Sequence, residues 1–474
     1  MAEENKTAAM QAKYGPYPAY HPSNTEWLGD IPEGWLTIQI GRLFRRVKRT
    51  GFIDKELLSV YRDYGVVPKS SRDDNNNKAS EDLSPYQLVK KNDLVLNKMK
   101  TWQGSIAVSN YEGIVSPAYF VYEPEEKLFE AADPKYVHFL VRNPMYVAQY
   151  LRRSKGIRVS QWDLDPGEFQ RIELLLPSIP EQAKIAAFLD HETAKIDALI
   201  AKQQRLIALL EEKRQAVISH AVTKGLNPDA PLRPSGIDWL GEVPAHWEVK
   251  KLKHLADFID GDRSSAYPSD GDILEHGVPF VSSKNIVNFR LTQKNLNFIS
   301  ESKFSSLGRG KLIDQDLVIT VRGTIGHVAK FDADIIGFKT GFINAQMTII
   351  RPQFVPADYL LFLSESNIWK AQLDIAAYGS TVRQLSNPIL GNLDIALPPD
   401  DELNSILEYL QAAEAKFDEL TSFARTGSDL LKERRTALIS AAVTGKIDLR
   451  DWHPSEGSTE ISTEDGDQPN EALA

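Results

Sequence analysis

LLEEKRQAVISHAVT at 209–223 returns as LLKERRTALISAAVT at 430–444, with ten of fifteen residues identical and an offset of 221. Three other pairs repeat outward from it in the same order. SNTEWLGDIPEGW (23–35) matches SGIDWLGEVPAHW (235–247) at offset 212. DLVLNKMKTWQGSIA from Asp93 matches DLVITVRGTIGHVA from Asp316 at offset 223. Leu176-Pro177 matches Leu397-Pro398 at offset 221. A unit of about 220 residues is therefore written twice, a period far too long for a solenoid. Two similar domains with pseudo-twofold symmetry are expected.

Each copy ends in a long helix. The first starts at Ser178-Ile179-Pro180-Glu181, an S-x-x-E capping box with proline in the first turn, and stops before Gly225 and Pro228. Its apolar seam is Ile185, Leu189, Ile196, Leu199, Leu206, Leu210 and Val217, spaced 4, 7, 3, 7, 4 and 7. The second starts at Pro398-Pro399-Asp400, with the seam Ile406, Leu410, Phe417, Leu420, Leu431 and Leu438. Gly427 marks a place for a kink. At 1.5 Å per residue each helix spans about 60 Å. A stripe of that length needs a partner, and the other copy is the simplest one. The chain passes through a whole domain between them, so an antiparallel pair is expected, with a head at either end.

The heads, about 23–177 and 235–398, mix short apolar runs with helically spaced stretches. Leu94–Leu96, Gly113–Val115, Tyr119–Tyr122, Leu317–Ile319 and Met347–Ile350 read as strands. Pro134–Leu151 and Ala357–Leu373 read as helices, so the fold class is α+β. PKSSRDDNNNKASED (68–82) reads as a polar loop, mobile when unbound. Trp27, Trp35, Trp239 and Trp247 read as core packing rather than base-stacking groups.

Of the 474 residues, 42% are hydrophobic and 25% charged, an ordinary globular composition. Cysteine is absent, which excludes disulfides, thiolate metal sites and a thiol nucleophile, and suits a reducing cytosol. The first twenty residues hold no apolar core of a signal peptide, and no apolar run of about 18 residues suggests a membrane span. The net charge of −10 is concentrated in residues 447–474, which carry −7 and read as a disordered acidic tail, leaving −3 for the rest.

Catalytic and nucleotide motifs are incomplete. Gly308-Arg309-Gly310-Lys311 lacks the rest of a phosphate-binding loop, and His191-Glu192 is followed by Lys195 where a second histidine would stand. Asn143-Pro144-Met145-Tyr146 reads as a helix-start turn, and Glu211-Glu212-Lys213 as a solvated helix face. A binding or scaffold protein is expected rather than an enzyme. Cations interleave with aromatic residues in both heads. Head 1 offers Arg42, Arg45, Arg46, Lys48 and Arg49, then Lys98, Lys100, Trp102 and Gln103, then Arg152, Arg153, Lys155 and Arg158 near Gln161. Head 2 offers Lys284, Arg290, Lys294, Arg322, Lys339, Arg383 and Gln384. Cations suit DNA phosphates, and Arg, Lys and Gln suit base edges.

Together these motifs resemble the specificity (S) subunit of type I restriction–modification systems. W-L-G-x-[IV]-P-x-x-W at Trp27 and Trp239, DLVLNKMKTWQG at 93–104, GIVSPAY at 113–119, LPSIPEQ at 176–182 and EKRQAVISHAVTKG at 212–225 carry the resemblance, which covers about residues 20–446. It implies an N-terminal arm (1–22), target recognition domain 1 (23–177), spacer helix 1 (178–225), domain 2 (226–398), spacer helix 2 (399–446) and the tail. It also implies double-stranded DNA as ligand, each head reading one half of a bipartite gapped site. Two modification subunits that bind S-adenosylmethionine and methylate adenine N6 are implied, with two ATP- and Mg-dependent restriction subunits and no cofactor on this chain. Copy two departs from the pattern in having Asp401-Glu402-Leu403 for P-E-Q. A modification-only or other phage-defence assembly, or a coiled-coil scaffold unrelated to DNA, also fits the residues.

Overall fold

A computed structural model of the chain describes residues 13–62, 64–72, 79–158, 161–377 and 384–454. The fold is α+β. It forms two compact units: unit 1 takes the chain to Gln203 and again from Thr426, and unit 2 runs from Gln204 to Arg425.

Unit 1 is built on four strands, β1 (Phe44–Val47), β2 (Leu94–Asn97), β3 (Ile106–Val108) and β4 (Tyr119–Pro124), in the antiparallel order β1-β4-β2-β3. Both faces of this sheet are covered. Leu94, Leu96 and Ile106 enter one buried cluster, while Val95, Ala107 and Val121 enter another. Alternation at period two sends neighbouring residues to opposite faces. A strand buried on both sides therefore reads as an unbroken apolar run. The turn before β2 is held by Asp93, which is buried and accepts the Lys90 amide and the Arg49 guanidinium, each at 2.8 Å. Helices α1 (Pro134–Val141) and α2 (Pro144–Arg152) follow. The single helical stretch expected there is broken at Asn143, whose carboxamide accepts the Met145 amide at 2.8 Å and caps α2. The 46-residue helix α3 (Ile179–Lys224) begins in unit 1 and ends in unit 2.

Unit 2 repeats the plan. Strands β5 (Ala256–Asp260), β6 (Leu317–Thr320), β7 (Val328–Lys330) and β8 (Met347–Pro352) lie in the order β5-β8-β6-β7, extended by Arg290–Leu291 and Ile286–Val287. Asp316 stands where Asp93 does; it accepts the Ile313 amide at 2.9 Å and a two-pronged bond from Arg351, each prong 2.8 Å. Helices α4 (Ala357–Glu365) and α5 (Asn367–Ala377) match α1 and α2, and the 44-residue helix α6 (Asp400–Val443) runs unbroken through Gly427. The heads differ between their first and second sheet strands. Unit 1 has a hairpin of Leu58–Tyr61 and Gly65–Pro68 there, and of the polar loop that follows, 73–78 lies outside the described residues. Unit 2 has strands Val278–Val281 and Asn297–Ile299, part of a second four-stranded sheet.

The long helices are shared by exchange. In unit 1 the first turn of α3 meets its own head: Glu181 accepts the Trp35 indole N–H at 3.1 Å and the Tyr17 hydroxyl at 2.6 Å. The last turn of α6 meets the same head, where the buried Tyr136 hydroxyl lies 2.9 Å from the Leu175 carbonyl and 3.2 Å from that of Val443. Unit 2 mirrors both arrangements. Glu402 accepts the Trp247 indole at 3.0 Å, and the Tyr359 hydroxyl lies 2.6 Å from the Ala396 carbonyl and 3.4 Å from that of Val222. Each head thus holds the start of its own helix and the end of the other repeat's helix. Gln182 and Leu403 show how the copies diverge. Gln182 is fully buried and bonds Asp133, Ala131 and Pro177, whereas Leu403 fills the matching place with hydrocarbon.

Within each unit the two helix segments run antiparallel. Asp197 takes a two-pronged bond from Arg435 in unit 1, and Glu211 pairs with Arg425 and Arg214 with Glu414 in unit 2. Ile185, Leu189, Ile196 and Leu438 are buried in unit 1, as are Ile406 and Leu410 in unit 2. Leu210, Val217, Phe417 and Leu431 are half-buried. Leu199, Leu206 and Leu420, read as seam residues, are exposed. They lie toward the middle of the helices, beyond the heads that bury the ends.

Two boundaries shift. Ile447 and Leu449 are buried in the core of unit 1, and Trp452 packs edge-on against Phe188 at 5.3 Å. Residues 447–454 therefore belong to the folded unit rather than to a tail; 455–474 lie outside the described residues. The N-terminal arm packs there too, with Tyr17 buried and the Asp448 amide bonded to the Gly15 carbonyl at 2.9 Å. The tryptophans divide: Trp35 and Trp247 are buried, Trp27 is half-buried against Tyr146, and Trp239 is exposed.

A charge network ties head 2 to both helix segments of its unit. Arg214 on α3 bonds Glu365 at 2.9 Å and Glu414 at 2.8 Å, while Arg290 reaches Glu414 at 3.3 Å and Asp418 at 3.1 Å. Glu365 is buried, and that burial pushes its carboxyl up to about 7 against the pull of Arg214.

Tyr359→Phe removes a buried hydroxyl and leaves carbonyls short of a donor, so full-chain unfolding should lose about 1–2 kcal/mol; an unchanged midpoint would show that the helix end is held by packing alone. The folded state retains the Glu365 proton up to about pH 7, whereas the unfolded chain releases it near 4.5. Stability from this group therefore falls as pH rises through that window. Glu365→Gln should flatten the fall in stability across that window by about 3 kcal/mol, read from melting temperature against pH; parent and variant with the same slope would contradict the assignment.

Candidate nucleic-acid interface

The cations of head 1 sort by strand alternation. Along β1 and just beyond, Arg45, Val47 and Arg49 face one way and Arg46 and Lys48 the other. Arg45 pairs with Glu123 and Glu125, and Arg49 with Asp93, so these two are occupied within the fold. The exposed Arg46 places its guanidinium 4.1 Å from the centre of the Phe120 ring. Lys98, one residue past β2, brings its ammonium 4.9 Å from the same ring and donates to the Pro117 carbonyl at 2.6 Å. Partial burial, then the nearness of Arg46 and Lys48, holds Lys98 below the ordinary lysine range, and Asp163 opposes this. Two cations thus converge on one aromatic face held by the sheet, with Lys48 near Lys98.

The loop after Lys98 carries the next group. Lys100 and Gln103 are exposed at a short helical turn. Trp102 donates its indole N–H to the Met99 carbonyl at 2.8 Å and meets Trp162 edge-on at 5.0 Å. Trp162 lies on the hairpin Ser154–Arg158/Gln161–Leu164, which is tied back by the Leu164 amide to the Lys98 carbonyl at 3.2 Å. Lys155 is exposed on this hairpin. Arg153 is not part of the face: it is half-buried and turned onto its own helix, bonding the Gln149 side chain at 2.5 Å. The Arg158 side chain lies outside the described residues.

Head 2 gathers its residues less closely. Arg322 leaves the end of β6 and is joined to Gln384 by an isolated β-bridge, with its Nε buried and unpaired among the described residues. Lys284 and Lys339 are exposed on separate turns, and among the described residues no hydrogen bond or ion pair links them to Arg322. Arg290 is spent on Glu414 and Asp418, and Arg383 lies outside the described residues.

Phe120 and Trp162 join the site only in the folded chain, and both are central to its geometry. Phe120 has a visible signal. In the strand beginning Tyr119-Phe120-Val121 the alternation sets Phe120 apart from the buried Val121. Trp162 has none, because only the fold brings the hairpin to Trp102.

Among the described residues no three His, Cys, Asp or Glu side chains gather as a metal site, and no helix is long and apolar enough to cross a membrane. His138 is held neutral, its pKa lowered to about 4 by burial and by Arg142.

The chain is similar to known proteins along most of its length. Residues 244–425 match the family model described as the type I restriction modification DNA specificity domain. The MjaVIII type I restriction enzyme specificity subunit of Methanocaldococcus jannaschii is 24% identical over 429 residues, covering 89% of this chain and 94% of that one. The EcoKI specificity subunit of Escherichia coli K12 is 20% identical, covering 88% and 90%. Among solved structures, a chain from a study of complex assembly and conformational transition of the type I R-M system superposes with a TM-score of 0.60 at 17% identity. That match covers 87% of this chain and 98% of the other. With its duplicated heads and exchanged helices, the chain is thus similar over most of its length to type I restriction–modification specificity subunits, and its second head matches their DNA specificity domain.

Proposed function

We propose that this chain reads a bipartite, gapped duplex site, each head contacting one half. The observation that carries the proposal is the reciprocal exchange of α3 and α6 between two heads that share a sheet but differ in what is inserted into it. A common scaffold with different inserts suits two unlike half-sites at a set separation. The Arg46, Lys48 and Lys98 cluster supplies cations for the phosphate backbone, and the Lys100–Gln103 loop and the neighbouring hairpin supply groups for base edges. Sequence is then read by side chains on the inserts, and by DNA shape.

The chain contributes recognition and no reaction. Adenine methylation belongs to modification subunits holding S-adenosylmethionine, and cleavage to restriction subunits using ATP and Mg, all in the cytoplasm. Leu206, Leu209, Tyr409 and Phe423 are exposed on the helix segments of unit 2, an apolar surface suited to a protein partner.

Replacing residues 235–398 with the same region of a relative should change one half of the methylated motif and leave the other half and the gap intact. Single-molecule mapping of N6-methyladenine in cells with and without the gene reads this directly; a change in both halves, or in neither, would refute modular reading. In the assembled complex, Arg46→Ala or Lys98→Ala should reduce the slope of log affinity against log salt by about 0.9 for each phosphate no longer neutralised, with similar weakening on target and non-target DNA. Equal slopes for parent and variants would remove this cluster from the interface.

A further inference from the structure

The two repeats place one helix position in different surroundings. Phe188 of α3 and Tyr409 of α6 are equivalent residues, 221 apart. Each stands between two buried seam residues, Ile185 and Leu189 in unit 1 and Ile406 and Leu410 in unit 2, so the two helices sit on their heads in the same register. Yet Phe188 is fully buried, whereas Tyr409 is 47% exposed.

The cover over Phe188 comes from the N-terminal arm and from residues 447–454. Trp452 meets the Phe188 ring edge-on at 5.3 Å and lies 5.8 Å from the His191 ring, and Tyr14 meets Phe188 edge-on at 5.1 Å. The Lys184 ammonium donates to the Arg450 carbonyl. The Arg450 guanidinium lies 5.1 Å from the centre of the Tyr17 ring, whose hydroxyl is bonded to Glu181. A cation and an aromatic side chain two residues apart thus seat on the first turns of α3. Unit 2 has one segment where unit 1 has two. Its strand Leu232–Pro234 matches Tyr20–Pro22, and the chain reaches it from the end of α3 through residues 225–231, which hold no aromatic residue.

The uncovered face has its own chemistry. Ser405, Tyr409 and Ala412 follow at spacings of four and three, so they share one side of α6, and all three are exposed. Small neighbours leave the Tyr409 ring open to another ring. Asp400, Asp401 and Glu408 are exposed on the first turns of α6, and no lysine or arginine follows them before Lys416. Such a face favours a positively charged occupant. Residues 455–474 of this chain carry six acids, no lysine or arginine and no aromatic residue, so they are the wrong occupant.

We infer that the Tyr409 face of unit 2 docks a segment of the modification subunit, one that sets an aromatic side chain on Tyr409 with a lysine or arginine beside it. Trp452 and Arg450 give unit 1 the same arrangement from within the chain, so each chain offers one such site. The inference rests on the functional reading above, in which a chain that recognises DNA has to hold the subunit that methylates it.

The test uses the full chain and the purified modification subunit. Tyr409→Ala and Glu408→Lys change exposed helix positions, so both variants should melt at the parent temperature. Each should weaken one step of modification-subunit binding about tenfold or more in a titration. A photoreactive amino acid placed at position 409 should crosslink, in the assembled complex, to a modification-subunit segment with an aromatic residue and a lysine or arginine within a few positions of each other. Parent-like binding by both variants overturns the inference and leaves the functional reading standing. So does a crosslink only to this chain, whether to its own residues 455–474 or to a second copy. A parent chain that binds no modification subunit overturns both.

Discussion

Two tyrosine hydroxyls, each set among carbonyls of its own head and of the other repeat's helix, anchor the architecture. Tyr136 reaches Val443 and Tyr359 reaches Val222. In proteins a helix draws most of its stability from packing its apolar face. Here each head covers one end of both helices, with Glu181 or Glu402 at an incoming first turn and a tyrosine at an outgoing last turn. Neither repeat is complete alone, because the end of its helix is bound by the other repeat's head.

That constraint explains where variation is allowed. The sheet strands, the buried aspartates and the helix junctions recur because each supports the exchange. Asp93 and Asp316 hold the same turn but recruit different arginines, Arg49 and Arg351, from different places in the chain. What the charge requires is a guanidinium in reach, and its origin is free to change. The segments between the first two sheet strands bear no such load and differ completely, as do the groups around Arg214 and Arg435. Similar scaffolds thus carry unlike surfaces, which is what reading unlike half-sites calls for.

Legibility in the sequence follows the range of the interaction. Leu94–Leu96 and Leu317–Ile319 are visible as strands because alternation and burial act on neighbours. The cap at Asn143 is visible because it reaches two residues along. The Arg46, Phe120 and Lys98 cluster is half visible: its cations stand out, but three strands have to pair before they share a ring. The packing of 447–454 is hidden by composition. The acids around Ile447 and Leu449 dominate the local average, while those two side chains enter the core and Trp452 packs against it.

The sequence by itself determined the duplication, the α+β heads, the two long helices and the resemblance to specificity subunits. All of these are written in local periodicity or in repeated words. Tertiary structure decided which cations face one another, which seam residues are covered, and that each helix ends in the other repeat's head. Those outcomes depend on residues hundreds of positions apart meeting in space, as with Tyr136 and Val443. Such pairings are set by sheet order and by which surfaces remain to be buried, and neither is a property of any short stretch of chain.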